Sequence, residues 1–440
     1  MIFKNSFTSE VDCKIGFSSS LKFDKYEITE FDCGLRVISE YIPYFRSISL
    51  GFWIATGSRS ENISINGITH LIEHVLFKGT KKRNYMDIAV AFDSMGAEFN
   101  AFTDKENTCI YADFIDTHLQ QCLELLFDIV LNPSFLSENI KTEKKIIYEE
   151  IKMVEDNPSD NVFNYFYKVI LDGHPLSLPV LGTKKSLKNL NQSAILNYFD
   201  ERFVPGNIII SAAGNIKHKD LVNAIKKNIY NIENKNDKYC KDFVRKKPAV
   251  RSVKKIYKSK NKAAHICYGG LGCTRDSSDR YSLSLLTNIL GGSMSSRLFQ
   301  KIREKEGLSY SIFANDVRYI DTGVIVIYAA ASVKNVYRIL EYIESEINDI
   351  KKNGVKDIEL NRSKENIKGG IILNVENISS RMFRLGKGLL LDNKVLLINQ
   401  ILKKIDKVKL NDLYDSAFRY FKLKRMSSVI LGEVNKGRFK

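Results

Sequence analysis

Only six histidines occur in the 440 residues, and two of them, His70 and His74, stand four apart with Glu73 between them. On a helix, residues four apart share one face about a turn apart. Their ring nitrogens can then meet one Zn²⁺ at about 2.0–2.1 Å each. Glu73 follows His70 by three residues, so it projects beside such a metal rather than onto it. There it can take the proton of a zinc-bound water, whose pKa the metal lowers to about 7. This His-x-x-Glu-His order inverts the commoner zincin motif.

A catalytic zinc usually has three protein ligands and one open position. The helical pattern over Ser137–Val154 supplies the third. Ile147, Ile151 and Val154 define its apolar stripe, and Glu143 and Glu150 fall on that stripe. Glu149 lies about 100° away and faces outward. A carboxylate on an apolar face is costly unless it is paired or bound to a metal. Glu150 is therefore the expected ligand, and Glu143 a supporting carboxylate that orients a histidine or a neighbouring group. His118, His174, His218 and His265 lack ligand spacing. His174, in Gly-His-Pro, reads as a turn residue and the other three as structural or solvated.

Strands alternating with amphipathic helices must carry these residues, which predicts an α+β or α/β layer fold. The first half reads as a strand at Ser47–Ala55, helices at Thr69–Phe77 and Met86–Met95, and a strand at Thr108–Phe114. Two long helices follow at His118–Leu131 and Ser137–Val154, stopped by Asp156-Asn157-Pro158, then a helix at Gln192–Glu201 and a strand at Asn207–Ala213. At an offset of roughly 215–220 residues the order recurs, a period that signals duplicated domains rather than a solenoid. Strands at Ala263–Gly269 and Gly323–Ala329 enclose helices at Ser282–Leu290 and Arg297–Glu304, and long helices follow at Val333–Lys351 and Ile358–Asn374. The polar, basic stretch Asn234–Arg251 reads as a linker. The expected division is residues 24–233, 234–251 and 252–440, with two related domains of about 200 residues each. The second has no histidines where the motif should recur, near Thr287–Gly291.

At 44% hydrophobic and 27% charged, the composition excludes a disordered or collagen-like chain. The net charge of +16 comes from dispersed lysines with no basic run of five residues, so it argues against a nucleic-acid partner. Seven cysteines, an odd number without a Cys-x-x-Cys pair, fit reduced thiols in a reducing compartment. Met1–Phe23 contains Glu10 and Asp12 and no continuous apolar run, so neither a secretory signal nor an Arg-rich transit peptide is expected. No stretch approaches the ~20 apolar residues of a membrane span. A cytoplasmic protein is the expectation.

With these residues in place, the sequence resembles the pitrilysin, insulysin and mitochondrial-processing-peptidase family of inverted-zincin metallopeptidases, above all its short bacterial members. The likeness runs from about residue 25 through Thr69–His74 with Phe77-Lys78-Gly79-Thr80, then Asn100-Ala101-Phe102-Thr103 with Glu106 and Thr108. It continues through Glu143, Glu150–Met153 and Asp156-Asn157-Pro158, then His174-Pro175 and Leu181-Gly182-Thr183. In the second half it rests on Gly291–Phe299, Arg303 and Gly307-Leu308-Ser309-Tyr310. The resemblance implies two homologous domains, each a mostly antiparallel sheet with helices on one face. It also implies zinc ligands at His70, His74 and Glu150, a general base at Glu73, and an assisting carboxylate at Glu143. Asn100, Ala101 and Phe102 would form an edge strand that pairs with substrate backbone, and Arg303 and Tyr310 would grip the substrate near the scissile bond. The implied activity is zinc-dependent hydrolysis of unfolded peptides or extended presequence-like segments. A chamber in this family needs four such domains, so a homodimer is expected, the alternative being a heterodimer with a non-catalytic homologue. A non-catalytic core subunit of a larger assembly is the competing role.

Overall fold

The computed structural model describes residues 25–229, 247–250, 252–259 and 261–435. The expectation for Met1–Phe23 and most of the expected linker lie outside the described residues. In chain order the first elements are β1 (Glu27–Glu30), β2 (Arg36–Tyr41), β3 (Ser47–Ile54), α1 (Ile68–Leu76), α2 (Tyr85–Ser94), β4 (Glu98–Thr103) and β5 (Thr108–Ile115). Next come α3 (Leu119–Leu131), α4 (Ser137–Asp156), α5 (Pro158–Ile170), α6 (Lys184–Asn189), α7 (Gln192–Arg202), β6 (Ile208–Gly214) and α8 (His218–Ile229). The second half holds β7 (Lys254–Tyr257), β8 (Ala263–Gly272), α9 (Arg280–Thr287), β9 (Ser309–Arg318), β10 (Gly323–Ser332), α10 (Val336–Asn353) and α11 (Asp357–Asn374). It ends with α12 (Ile378–Asp392), α13 (Ile398–Asp406), α14 (Leu410–Tyr420) and β11 (Ser427–Leu431). The stretch expected as a helix at Arg297–Glu304 is a π-helical turn over Phe299–Lys305.

Two sheets result, in the orders β1-β2-β6-β3-β5-β4 and β7-β11-β8-β10-β9. Apart from β1 the orders correspond strand for strand, and each has one parallel pair, β2 with β6 and β7 with β11. The fold is thus α+β with mostly antiparallel sheets, written twice. Helices on one face is too simple a description. Adjacent residues of β3 point to opposite faces, and both directions are filled: Phe52 packs edge-on against Phe127 of α3 at 5.0 Å, while Trp53 is buried with Met382, Leu385 and Leu389 of α12.

The compact units are correspondingly not contiguous in sequence. One comprises Met1–Glu149, Pro179–Phe243 and Ile372–Ile398, the other Glu150–Leu178, Val244–Ile371 and Asn399–Lys440. The first therefore includes α12 from the second half, and the second includes α5 from the first half. Each is the helix that follows the two long helices of its own half. Helix α5 starts where the terminator Asp156-Asn157-Pro158 ends α4. The Asn157 side chain accepts from the Ser159 N–H at 3.1 Å, and Pro158 supplies the preset φ of a first helical residue. Its apolar positions Val162, Phe166, Val169 and Ile170 are buried with Cys267, Val326 and Val429 of the second sheet. Burying each such side chain contributes about 1.5–3 kcal/mol, which is why an amphipathic helix can serve a sheet distant in sequence.

Helix α12 docks by close approach. A Cβ on Gly386 would fall 2.0 Å from Trp53 Nε1, and one on Gly51 would fall 2.5 Å from Met382 Sδ. Glu40 of β2, 1% exposed, receives Arg381 and Arg384 of the same helix, the latter at 3.4 Å. Buried charge is tolerable there because it is paired. Among the described cysteines, Cys109, Cys122, Cys267 and Cys273 are buried.

Candidate metal centre

Helix α1 carries the histidine motif, and its N-terminus is fixed before any metal is considered. Gly67 precedes it with φ +92°, and a Cβ there would lie 2.8 Å from the Leu181 carbonyl, so a glycine is required. No side chain at that position caps the helix. Instead the buried Glu61 carboxylate accepts from the backbone N–H groups of Gly67 (2.7 Å) and Thr69 (3.0 Å) and from Asn66 Nδ2 (2.8 Å). An acid at the positive end of a helix is favourable, although burial still pushes its pKa up against these donors. The Thr69 hydroxyl bonds the Tyr198 hydroxyl at 2.9 Å, which also bonds Thr56 at 2.8 Å.

Below this cap, His70 and His74 stack edge to face with ring centroids 4.6 Å apart. One ligand atom each from His70, His74 and Glu150 lies within 4.8 Å of the others. Glu150 is the first residue past the unit boundary, but α4 is one continuous helix there, and its preceding turns belong with the histidines. On that helix Glu149 is exposed, Glu150 half-buried and Glu143 buried, as their spacing predicts.

His70 is 9% exposed, and burial together with His74 lowers its pKa to about 3. It is neutral at pH 7 and keeps a ring lone pair for a metal. His74 turns Nδ1 toward Glu143 Oε2 at 3.1 Å, so Nε2 is the ring nitrogen it could offer a metal. Lys78 Nζ meets the other Glu143 oxygen at 3.1 Å. Two imidazoles and a carboxylate make a nitrogen–oxygen set that suits Zn²⁺, so these residues fit the metal. Among the described residues this is the one cluster of three such side chains within reach of a common ion.

Glu73 is half-buried on the same helix, and its Oε2 accepts from the Thr103 hydroxyl at 2.5 Å. Thr103 ends β4, the outermost strand of its sheet, on which Asn100 is exposed and Ala101 and Phe102 are half-buried. Arg303 and Tyr310 lie in the other unit, where the guanidinium sits 5.3 Å from the centroid of a phenol ring that is 84% exposed. His174 caps a 3-10 turn through Nδ1, accepting from the Leu176 N–H at 3.2 Å.

Three residues of this site went unassigned in the sequence. Lys78 stands four after His74, a spacing that could have flagged it. Thr103 lay within a recognised motif but had no role there. Glu61, nine residues before His70 in a loop, had no sequence signal.

Comparison with known proteins identifies the family. The profile described as "Insulinase (Peptidase family M16)" matches residues 36–184, and "Peptidase M16 inactive domain" matches residues 189–367. An "Uncharacterized zinc protease" of Bacillus subtilis is 36% identical over 396 residues, covering 90% of this chain and 96% of the relative. One from Mycobacterium leprae is 32% identical over 404 residues, covering 91% of this chain and 90% of the relative. The crystal structure of a protease from Helicobacter pylori superposes with a TM-score of 0.87 at 21% identity, over 92% of this chain and 99% of that one. A zinc metalloprotease is the class that the fold and these relatives define. The chain belongs to the insulinase family of peptidases, M16.

Proposed function

We propose that His70, His74 and Glu150 hold the zinc ion, that Glu73 is the general base, and that Glu143 fixes the ring of His74. The observation that carries this reading is the convergence of the three ligand atoms within 4.8 Å, with Glu73 on the same helix. When bound, zinc supplies Lewis acidity toward water and the scissile carbonyl. Glu73 removes a proton from the attacking water as its oxygen bonds to the carbonyl carbon. The same carboxyl then returns that proton to the amide nitrogen as the C–N bond breaks. Extended peptides add to the free edge of β4 along Asn100–Phe102, where main-chain hydrogen bonds give affinity with little side-chain preference. Arg303 and Tyr310 are proposed as donors to the substrate carbonyls.

The substrates proposed are unfolded peptides or presequence-like segments, since strand addition requires an extended backbone. Residues 24–233 form the catalytic half, and the related half, 252–440, contributes the Arg303/Tyr310 pair. Two copies would bring four sheet units together, and light scattering at twice 50.3 kDa is the expected result.

Cleavage of a quenched-fluorescent, moderately basic peptide by wild type and Glu73→Gln, with zinc measured in both, tests the chemistry. Wild type is expected to cut and the variant to lose at least about 100-fold in kcat while retaining its zinc. A Glu73→Gln protein that cleaves at the wild-type rate would remove Glu73 from the mechanism.

A further inference from the structure

We propose that Thr103 is a positioning residue for Glu73, so that the strand offered to the substrate also aims the base. This rests on the reading of Glu73 as the general base. The contact is a hydroxyl donating to a carboxylate oxygen at 2.5 Å, in the short range of charge-assisted O–H···O⁻ bonds. A β-branched threonine has few χ1 choices, so the direction of its hydroxyl follows from the backbone that carries it.

That backbone is held from several sides. Thr103 pairs with Thr108 in the β4–β5 ladder, and the Asp104 N–H donates to the Asn107 carbonyl at 2.8 Å across the turn. The turn is clasped by the segment before α1. The Ser58 and Arg59 N–H groups donate to the Asp104 and Lys105 carbonyls at 3.3 and 2.8 Å, and a Cβ on Gly57 would fall 2.3 Å from the first of these oxygens. Arg59 also meets Glu106 at 2.6 Å, with side chains 1% and 3% exposed. Behind the strand, the ring of Phe102 packs at 5.8–6.5 Å against Trp53, Tyr111 and Phe383 of α12. Phe102 is also the last residue of the Asn100–Phe102 row proposed to pair with substrate. A peptide added along that row therefore docks on the strand whose next residue holds the base.

Thr103→Val keeps the shape and removes the donor, and Thr103→Ser keeps the donor. With the quenched-fluorescent peptide, Thr103→Val is expected to lose about 10- to 100-fold in kcat, the scale of a slightly misplaced reacting group. KM should stay within about twofold, and zinc content and Tm should stay close to wild type. Thr103→Ser should recover most of the rate, and in a crystal of Thr103→Val the Glu73 carboxylate should occupy a different rotamer. Adding Thr103→Val to Glu73→Gln should cost nothing further. Wild-type kcat in Thr103→Val would overturn the proposal, as would a Ser variant no better than Val, or an unmoved Glu73. These outcomes separate from failure of the base assignment. An inactive Glu73→Gln beside a fully active Thr103→Val sinks the positioning role alone, whereas an active Glu73→Gln sinks both.

Discussion

His70 and His74 were legible because a four-residue spacing places two imidazoles on one helical face whatever surrounds them. Glu150 was legible for a related reason, since an acid on an apolar stripe needs a partner. Glu61 was not, because a loop carboxylate reaches the helix N-terminus by tertiary contact without any period in the sequence. The supporting role proposed for Glu143 gives a graded prediction. Glu143→Gln weakens the polarisation of His74 and removes the charge facing Lys78, so zinc affinity should fall about 10- to 100-fold, measured by chelator competition. Glu150→Gln removes a proposed ligand instead, and should lower affinity further than Glu143→Gln under the same titration. Equal losses would contradict the division between ligand and supporting carboxylate.

Periodicity announced most of the long helices and central strands of both halves, within a few residues of their ends. It did not announce that α5 and α12 serve sheets from opposite halves of the chain. An amphipathic pattern says that a helix has an apolar face but not which surface will cover it. The close approach of α12 yields a paired test. Gly386→Ala forces a methyl against Trp53, whose Nε1 is committed to the Ser211 hydroxyl at 2.9 Å. It should destabilise by about 1–3 kcal/mol in urea unfolding, as overpacking does. Gly369→Ala in α11 meets nothing within 4 Å and should stabilise by about 0.5–1 kcal/mol through helix propensity. Similar effects of the two substitutions would argue against tight docking of α12.

Charge was the least informative feature of the whole molecule, because +16 dispersed along the chain with no basic run of five residues describes an exterior and not a site. The histidines His218, buried, and His265, half-buried, make a sharper prediction. His218 is 8% exposed, its ring nitrogens bond the Thr29 and Ser39 hydroxyls at 2.8 Å each, and burial lowers its pKa despite Glu27 nearby. His265, bonded to the Tyr328 hydroxyl at 2.8 Å, is lowered in the same way. For such groups the unfolded chain takes up protons first, near its ordinary pKa of about 6.5. Their contribution is therefore complete above that pH and is lost as the pH falls below it. Urea midpoints should decline from pH 7 toward pH 5, and His218→Gln should flatten that decline. An unchanged slope in the variant would assign the acid sensitivity elsewhere.

The most direct measurement is diffraction at the zinc absorption edge from crystals of the zinc-loaded protein. The account predicts one anomalous peak per chain at about 2.0–2.2 Å from a nitrogen each of His70 and His74 and from a carboxylate oxygen of Glu150. Glu73 should stand clear of the ion while keeping its bond to Thr103. A peak ligated by Glu73, or one without Glu150, would contradict it.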